Sequence, residues 1–343
     1  MRSKLTPTEQ ASRERLRLEK PLVHDKIINW REDRSNAIIQ LQYSYLCNMY
    51  CSHCSIAGFR KEDGKTLDVA TVKRIMDEAD AYGLATIAIS GGEPLAFKEL
   101  PELVEAIGPE RFHIQVDTNG WLMTPDIAHL LKGMGVDKVQ ISLDGMDATT
   151  HDSFRNKEGS HERCLKAIAA SQSAGLQVQV ATVVDHERAT SEEFEAFLQM
   201  VSGLGAAVSV VYAKPVGEWA GRQDLLCTKK DIAHVKKLLK KYGGYDHTTP
   251  SYGQNLGCIA VKRMIAITAF GDVLPCPWMY WSIGNVNEMP LAEILDKGMK
   301  YFGKHPVCRL SEDPEFNAKY TSKVKSDGPL QCIEDIMGER HGK

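Results

Sequence analysis

Short apolar runs alternate with longer amphipathic runs over the first two thirds of the chain. The short runs are rich in Val and Ile, which is typical of strands buried in a sheet, and the longer runs repeat apolar residues at helical spacing. The predicted strands cover residues 37–44, 85–90, 111–118, 137–144, 176–184 and 206–213. The predicted helices between them cover residues 68–82, 97–107, 124–134, 160–174 and 191–203.

Residues that favour helix ends stand at the boundaries of these runs. The N-cap positions hold Thr66, Asp68, Thr124 and Ser191, and the stop positions hold Gly83, Gly135 and Gly175. Alternating strands and helices with apolar strands imply a parallel sheet whose outer face the helices cover. Six units are too few for a closed eight-stranded barrel, so we expect an α/β fold with a partial (β/α)6 TIM-type barrel. Such a sheet binds ligands at the carboxyl ends of its strands.

The pattern changes in the last third of the chain. A helix is predicted near 229–241, a linker rich in Gly and Tyr follows, and two short strands then turn at Gly271–Asp272 as in a hairpin. A further helix is predicted near 290–302. We therefore divide the chain into a charged helical lead (1–36), a barrel (37–228), a connector (229–255) and a small C-terminal domain (256–343).

Composition and charge narrow the functional classes. Hydrophobic residues make up 43% of the 343-residue chain and charged residues 25%, which is the balance of a soluble globular enzyme. A formal net charge of −3 leaves no basic field for nucleic acid, and no segment reads as a signal peptide or a membrane span. We expect a cytoplasmic protein whose nine cysteines are metal ligands or free thiols rather than disulfides.

Three cysteines fall within eight residues directly after the first predicted strand. They are Cys47, Cys51 and Cys54, separated by three and then two residues. Structural zinc takes four ligands, and His53 is the one nearby residue that would complete such a set. A [4Fe–4S] cluster also normally takes four thiolates, so three would leave one iron open. An open coordination site is the mark of chemistry rather than of structure.

This Cys-x3-Cys-x2-Cys sequence after the first strand of a βα barrel resembles the signature of the radical S-adenosylmethionine (radical SAM) superfamily. The resemblance implies a [4Fe–4S] cluster with S-adenosylmethionine (SAM) bound to its open iron. It also implies reductive cleavage of SAM to methionine and a 5′-deoxyadenosyl radical, which abstracts a hydrogen atom from a substrate. A flavodoxin- or ferredoxin-type protein would donate the electron.

The segment “SGGEPLAF” ends the second predicted strand and resembles the glycine-rich SAM-binding segment of the same superfamily. The resemblance assigns cofactor contacts to Gly91, Gly92, Glu93 and Pro94. Exposed glycine carbonyls would accept bonds from the SAM ammonium group, and Glu93 would add a charge-assisted one. An ordinary strand-to-helix turn is the alternative, because Gly and Pro are common in turns.

Polar residues after the fourth predicted strand also resemble family sequence. Ser142 and Asp144 would hold the ribose or carboxylate of SAM, and Arg155 would pair with its carboxylate. Loop capping or a surface ion pair is the alternative for Asp144 and Arg155. Asn119, in an Asn-Gly turn, is assigned a conformational role. His53 occupies a position that is usually aromatic in the family, where it can still stack on adenine.

The C-terminal region carries a second group of cysteines, namely Cys258, Cys276, Cys308 and Cys332. Their setting resembles the SPASM and twitch domains of radical SAM enzymes, in which a hairpin presents ligands to an auxiliary iron–sulfur cluster. The dense cysteine array of a full SPASM domain is missing, so the shorter twitch-like form with one auxiliary [4Fe–4S] cluster is the better match. Zinc is the alternative for four thiolates. Cys164 and Cys227 are interpreted as plain thiols.

These observations favour a radical SAM enzyme that carries out a net oxidation or rearrangement, as a monomer or homodimer. The substrate is a small molecule, such as a sugar, aminocyclitol or nucleoside, or a leader-independent peptide. The modification of a ribosomally made precursor peptide is the alternative, although only about 36 residues precede the first strand, too few for a separate leader-binding domain. A non-catalytic electron relay is the rival class. Lys214, His247 and Lys262 are read as surface or structural residues, and no general base is assigned.

Overall fold

The structure is a computed structural model that describes residues 7–33, 38–61, 67–247, 257–302, 305–321 and 330–337. Seven consecutive strands form the parallel part of one large sheet: β1 (Ile38–Ser44), β2 (Thr86–Gly91), β3 (His113–Thr118), β4 (Lys138–Ser142), β5 (Gln177–Val184), β6 (Ala207–Tyr212) and β7 (Gly244–Asp246). The first six match the predicted strands within about two residues. The seventh is an addition, since it lies in the segment predicted as a linker.

Helices follow the strands and cover the outer face of the sheet. In chain order they are α1 (Pro7–Glu19), α2 (Pro21–Asp33), α3 (Val69–Tyr82), α4 (Leu100–Ile107), α5 (Pro125–Gly133), α6 (Ala148–Arg155), α7 (Ser160–Ser173), α8 (Glu192–Gly203), α9 (Lys229–Tyr242), α10 (Leu291–Tyr301), α11 (Arg309–Glu312), α12 (Pro314–Thr321) and α13 (Ile333–Met337). The predicted partial α/β barrel is confirmed by this arrangement.

The predicted helix caps form as expected where the structure describes them. Asp68, Thr124 and Ser191 each accept a hydrogen bond from a backbone N–H in the first turn of the helix that follows. Gly83 adopts a left-handed conformation, with φ of 91°, and ends α3. Thr66 lies outside the described residues. Helix α6, with the short polar run “ATTHDSFR”, was not predicted from the sequence. The tail after residue 302 was predicted to be irregular, and this was wrong, because α11, α12 and α13 form there.

Part of the C-terminal region extends the barrel sheet. Strands β8 (Met264–Ile267) and β9 (Asp272–Leu274) make the predicted hairpin, and β11 (Gly284–Asn285) pairs with β9. Strand β8 pairs in parallel with β1, so the hairpin extends the barrel sheet beyond its first strand. A separate parallel pair is formed by β10 (Trp281–Ser282) and β12 (Gln331–Cys332).

The two N-terminal helices cover the amino ends of the strands. Lys20 in the α1–α2 turn donates to Asp137 at 2.5 Å, just before β4, and Lys26 in α2 donates to the carbonyl of Arg111 at 2.9 Å, just before β3. The opposite edge, where the strands end, is therefore left for the cysteine loop after β1. Within the described residues, no helix is both long and apolar enough to cross a membrane.

Candidate functional site

The loop that follows β1 carries Cys47, Cys51 and Cys54 around a cavity, here called the loop cavity. The loop is fixed at its own turn, where the Cys54 N–H donates to the Cys51 carbonyl at 3.2 Å. It is also fixed from outside, because the Ser52 N–H donates to the carbonyl of Phe154 in α6 at 3.1 Å. The unpredicted helix α6 is therefore one support of the cysteine loop.

The surroundings of these three thiols favour a bound iron–sulfur cluster. Burial raises the pKa of the Cys47 and Cys54 thiols, although Arg60 nearby opposes this increase. Thiolates at these positions therefore need a compensating cation such as iron. Within the described residues, no three His, Cys, Asp or Glu side chains converge closely enough for a single metal ion, whereas a multi-iron cluster spans a wider gap. The residues present thus fit an iron–sulfur cluster.

The glycine-rich segment packs directly against this cysteine loop. The N–H of Gly92 donates to the Ser44 carbonyl and that of Glu93 to the Leu46 carbonyl, both at 2.8 Å. A Cβ at Gly92 would collide with the Leu46 backbone, and Gly91 has a φ of 109°, which favours glycine. Both glycines also line the loop cavity. The close approach of two backbones explains why this segment has no side chains there.

Glu93 lies behind the cavity rather than on its wall. Its carboxylate is fully buried and accepts hydrogen bonds from Thr118 Oγ1 and the Asn119 N–H, both at 2.7 Å, and from the Leu95 N–H at 3.0 Å. Burial raises its pKa to about 7. These hydrogen bonds tie the end of β2 to the end of β3, and the contact of Glu93 with SAM stays a prediction. Its buried neighbour Pro94 begins a short 3-10 turn.

Two of the three predicted residues after β4 reach the loop cavity. Ser142 and Arg155 lie on its wall, and Arg155 Nη1 lies 3.8 Å from Cys51 Sγ. Asp144 is held behind them, where it accepts hydrogen bonds from Arg155 Nε at 2.8 Å and from the Val183 N–H at 2.8 Å. Burial opposes its ionisation, yet the guanidinium beside it holds the pKa of Asp144 well below its usual range. Asp144 therefore orients Arg155.

His53 and Asn119 also line the loop cavity. The His53 ring stacks on Phe154 at 4.3 Å, and burial lowers its pKa to about 3, so the ring is neutral. Asn119 donates to Asn48 Oδ1 at 2.7 Å and lies 4.0 Å from Cys47 Sγ. Asn119 is thus part of the site as well as of a turn. Its contact with Cys47 could not be read from the Asn-Gly sequence.

Polar side chains from the barrel interior form the floor of the loop cavity. Gln40, Gln42 and Asp117 line it, and Asp117 accepts hydrogen bonds from Gln115 at 2.5 Å and from Gln40 at 3.3 Å. These residues alternate with buried apolar ones along their strands and therefore face the opposite side of the sheet. The sequence analysis missed them, although the alternation “IIQLQYS” in β1 carried the signal.

A second cavity, here called the C-terminal cavity, is lined by Cys258, Cys276 and Cys308. All three are buried, with exposed fractions of 6–8%. Burial raises the pKa of the Cys258 and Cys276 thiols, and each lies close enough to Cys308 for its charge to add to this effect. As in the loop cavity, such thiols become stable thiolates only beside a cation, which fits an iron–sulfur cluster.

Cys332 does not line the C-terminal cavity. It lies in β12, is only partly buried, and its thiol donates to Glu334 at 2.7 Å. The four cysteines predicted to act together are therefore brought together only in part. Cys164 and Cys227 are buried, as expected for plain thiols, and Cys164 donates to the Ser142 carbonyl at 3.2 Å.

The two cavities share a wall. Trp278 lines both of them, and Pro277 lines the loop cavity while Cys276 lines the other. Lys214 and His247, which the sequence analysis read as surface or structural residues, lie on the wall of the C-terminal cavity. The side chain of Lys214 is buried, with its Nζ 4.3 Å from the centre of the Trp278 ring. Lys262 is buried too.

Comparison with known proteins agrees with this geometry. Residues 41–201 match the radical SAM superfamily and residues 258–312 match the SPASM iron–sulfur cluster-binding domain. An AdoMet-dependent heme synthase of Methanosarcina barkeri is 27% identical over 297 residues, which cover 78% of this chain and 82% of that protein. The mycofactocin maturase MftC of Mycolicibacterium smegmatis is 28% identical over 252 residues, or 69% of this chain and 63% of that protein.

The fold is also similar to that of a solved structure. Streptococcus suis SuiB bound to S-adenosylmethionine aligns with a TM-score of 0.62 at 15% identity, over 92% of this chain and 78% of that one. Radical SAM domains bind a [4Fe–4S] cluster and SAM, and SPASM domains bind auxiliary iron–sulfur clusters. Both the sequence matches and the two cysteine-lined cavities lead to one assignment. The chain carries a radical SAM domain over residues 41–201 and a SPASM-type iron–sulfur cluster-binding domain over residues 258–312.

Proposed function

We propose that this protein catalyses a net two-electron oxidation of an organic substrate held in the loop cavity. Cys47, Cys51 and Cys54 hold the SAM-binding cluster, and SAM lies against Arg155 and the backbone of the glycine-rich segment. When bound, these cofactors supply the 5′-deoxyadenosyl radical that takes a hydrogen atom from the substrate. The residues Cys258, Cys276 and Cys308 hold one auxiliary cluster, which supplies an acceptor for the second electron.

The position of Trp278 is the observation that carries this proposal. A substrate in the loop cavity touches the same indole wall that faces the three C-terminal thiols. Trp278 would then lie between the substrate and the auxiliary cluster and offer a path for the second electron. Lys214 lies over the same ring and beside the thiols, where its positive charge favours arrival of an electron. A wall shared in this way supports electron transfer rather than a purely structural second site.

The electrons and atoms of the reaction balance without another reagent. The substrate loses two hydrogen atoms in all, one as an atom to the radical and one as a proton and an electron. SAM takes up the equivalent of two electrons and one proton as it becomes methionine and 5′-deoxyadenosine. One proton is released overall, and the electron that starts the cycle is returned through the auxiliary site.

Asp117 is the proposed proton acceptor. Its carboxylate lines the loop cavity at the end of β3, within reach of a bound substrate. Burial raises its pKa, although hydrogen bonds from Gln115 and Gln40 oppose the increase. A carboxylate with a raised pKa is a better base than an exposed one. Asp117→Asn should therefore stop product formation while SAM cleavage without substrate conversion continues.

A small organic molecule is the proposed substrate class. The heme synthases support this choice, because they match most of this chain and most of their own length. The mycofactocin maturase and the PqqA peptide cyclases support a peptide as the second candidate. The polar floor formed by Gln40, Gln42 and Asp117 suits a substrate that offers several hydrogen-bonding groups.

The decisive experiment uses anaerobically reconstituted enzyme with a chemical reductant and SAM. Small-molecule and peptide fractions of a cell extract are added separately, and 5′-deoxyadenosine is quantified. We expect the small-molecule fraction to raise its formation above the substrate-free level, and a response to the peptide fraction alone would reverse the choice of substrate. With the active fraction, Cys276→Ala should form 5′-deoxyadenosine without product. Normal product formation by that variant would refute the oxidative role, and absence of SAM cleavage in the unmodified protein would instead indicate a non-catalytic relay.

A further inference from the structure

The C-terminal cavity is one ligand short of a closed cluster. A [4Fe–4S] cluster usually takes four protein ligands, and the cavity offers the thiols of Cys258, Cys276 and Cys308. The fourth cysteine of this region, Cys332, does not line the cavity, and Glu334 accepts a hydrogen bond from its thiol at 2.7 Å. Glu334 is in turn paired with Lys297. This chain of polar contacts holds Cys332 elsewhere.

His247 lies on the wall of the same cavity, and its ring nitrogens are available to bind a metal. Both of its ring nitrogens are shielded from solvent and have no hydrogen-bond partner among the residues that the structure describes. A buried polar atom without a partner is costly, so a ring with both nitrogens unpartnered is unusual unless a ligand engages at least one of them. A neutral imidazole nitrogen is a good ligand for iron, and burial keeps this ring neutral by lowering its pKa.

The position of His247 is set by its surroundings. Its backbone N–H donates to the Val210 carbonyl at 3.0 Å, which fixes it directly after β7. Its ring lies edge-on to Tyr212 and to Trp278, with both pairs of ring centres 5.6 Å apart. The Tyr212 hydroxyl donates to Asp246 at 3.1 Å and thereby holds the first of these rings. The imidazole is thus held in the cavity wall by two aromatic neighbours.

Lys214 and Arg309 are the other basic residues on the described part of this wall. Arg309 carries a guanidinium, which has no lone pair to offer to iron. Lys214 is already engaged. Its Nζ donates to the Tyr212 carbonyl at 2.9 Å and lies over the Trp278 ring. An ammonium group has no lone pair to offer to iron. Lys214 is therefore suited to stabilise thiolate charge, which leaves His247 as the nitrogen donor.

We propose that His247 is the fourth ligand of the auxiliary cluster, beside Cys258, Cys276 and Cys308. The inference rests on the proposed function only in assuming that these three thiols hold a cluster. A neutral imidazole in place of a thiolate makes the cluster less negative and easier to reduce, as in iron–sulfur centres with mixed Cys and His ligands. Every iron is then closed, so the cluster accepts electrons and does not bind substrate.

The test uses a Cys47→Ala, Cys51→Ala, Cys54→Ala protein, in which the auxiliary cluster is the one cluster left to observe. The cluster is reduced anaerobically, and pulsed electron paramagnetic resonance records the nitrogen coupling in protein made with natural or ¹⁵N-labelled histidine. We expect a strong coupling that changes from ¹⁴N to ¹⁵N with the label. A reduced cluster with no histidine coupling overturns the inference alone, whereas a protein that binds no iron at all also overturns the auxiliary site of the proposed function.

A pair of substitutions separates the two candidate fourth ligands. In the same background, Cys332→Ala should keep the iron content and the histidine coupling. His247→Cys should keep about four irons, lose the coupling and lower the reduction potential, because a thiolate replaces a neutral ligand. An unchanged coupling in His247→Cys would overturn the assignment, and so would loss of the cluster in Cys332→Ala.

Discussion

The loop cavity and the C-terminal cavity each gather three thiols, but they do so by different routes. Cys47, Cys51 and Cys54 come from one short loop, so their proximity is largely built into the covalent chain. The C-terminal thiols lie between residues 258 and 308 of the sequence. Only the folded hairpin and the segments after it bring them together. Cysteines that are close together in the sequence can be recognised as a group from the sequence alone. Cysteines that are far apart become a group only in the folded protein.

The surroundings of the two thiol sets differ as well. At the loop cavity the cysteines are only partly buried, and the neighbouring Tyr50 is 75% exposed. At the C-terminal cavity, the thiols are buried beside an aromatic wall. The first environment can exchange a cofactor and a substrate with solvent, and the second is suited to keep a cluster in place. This contrast predicts that the two cavities respond differently to substitution.

The largest expected effect separates the two cavities completely. Replacement of Cys47, Cys51 and Cys54 together by Ala should remove about four of about eight irons. It should also reduce 5′-deoxyadenosine formation to background, because no other thiols line the part of the loop cavity that the structure describes. Iron analysis and chromatography of the reaction mixture measure both effects. SAM cleavage that persists in this protein under reductant would show that the two cavities had been assigned in the wrong order.

The reciprocal change acts on the C-terminal cavity. Cys308→Ala should impair the auxiliary cluster and stop product formation, while SAM cleavage without substrate conversion remains measurable. Cys227→Ala is the matched control, because it also removes a buried thiol but lies outside the lining of both cavities. It should leave the iron content unchanged. Equal loss of iron from both variants would mean that the effect is general destabilisation.

A third change tests how closely the loop cavity depends on backbone packing. Gly92→Ala places a methyl group against the Leu46 backbone and should destabilise the fold by about 1–3 kcal/mol while weakening SAM binding. Gly133→Ala is the control, since a Cβ there meets no atom within 4 Å and the residue ends a helix. Thermal unfolding and SAM titration compare the two. A Gly92→Ala protein as stable as the control would rule out the close contact.

The fourth expected effect is a pH dependence of stability that Glu93 contributes on the loop side. The pKa of Glu93 is raised to about 7 in the fold, so the folded protein holds a proton that the unfolded chain has already lost. Stability should therefore fall as pH rises from about 4.5 to 7, by at most about 3 kcal/mol. Glu93→Gln should flatten this decline in anaerobic unfolding curves. A decline that is equally steep in the variant would assign the dependence to other groups.

Much of the barrel could be predicted from the sequence because its signals are local. Strand periodicity, the caps at Asp68, Thr124 and Ser191, and the turn at Gly271 each depend on a few neighbouring residues. What escaped prediction depends on contacts between distant segments. Helix α6 is short and polar; Asp147 caps its start, and the Phe154 carbonyl near its end accepts a hydrogen bond from Ser52 in the cysteine loop.

The candidate site was predictable to the same extent. The proximity of the loop thiols and Ser142 follows from their places at strand ends, whereas Arg155 reaches the cavity from the end of α6. The inward roles of Glu93 and Asp144 did not follow, because a carboxylate after a strand can face either the cavity or the interior behind it. The burial of Lys214 and His247 also required the folded arrangement, since Lys214 follows the end of β6 and His247 lies in a polar stretch of sequence.

The pairing of β8 with β1 has a consequence for how the chain can be divided. Strand β1 is the first strand of the barrel, and without the C-terminal hairpin its outer edge would present free backbone N–H and C=O groups. Unprotected edges of this kind recruit strands from other molecules and lead to aggregation. The cluster-binding domain therefore also covers the outer edge strand of the barrel sheet. A protein shortened to the barrel alone would be expected to aggregate, and this domain cannot be exchanged between relatives without matching the register of β1.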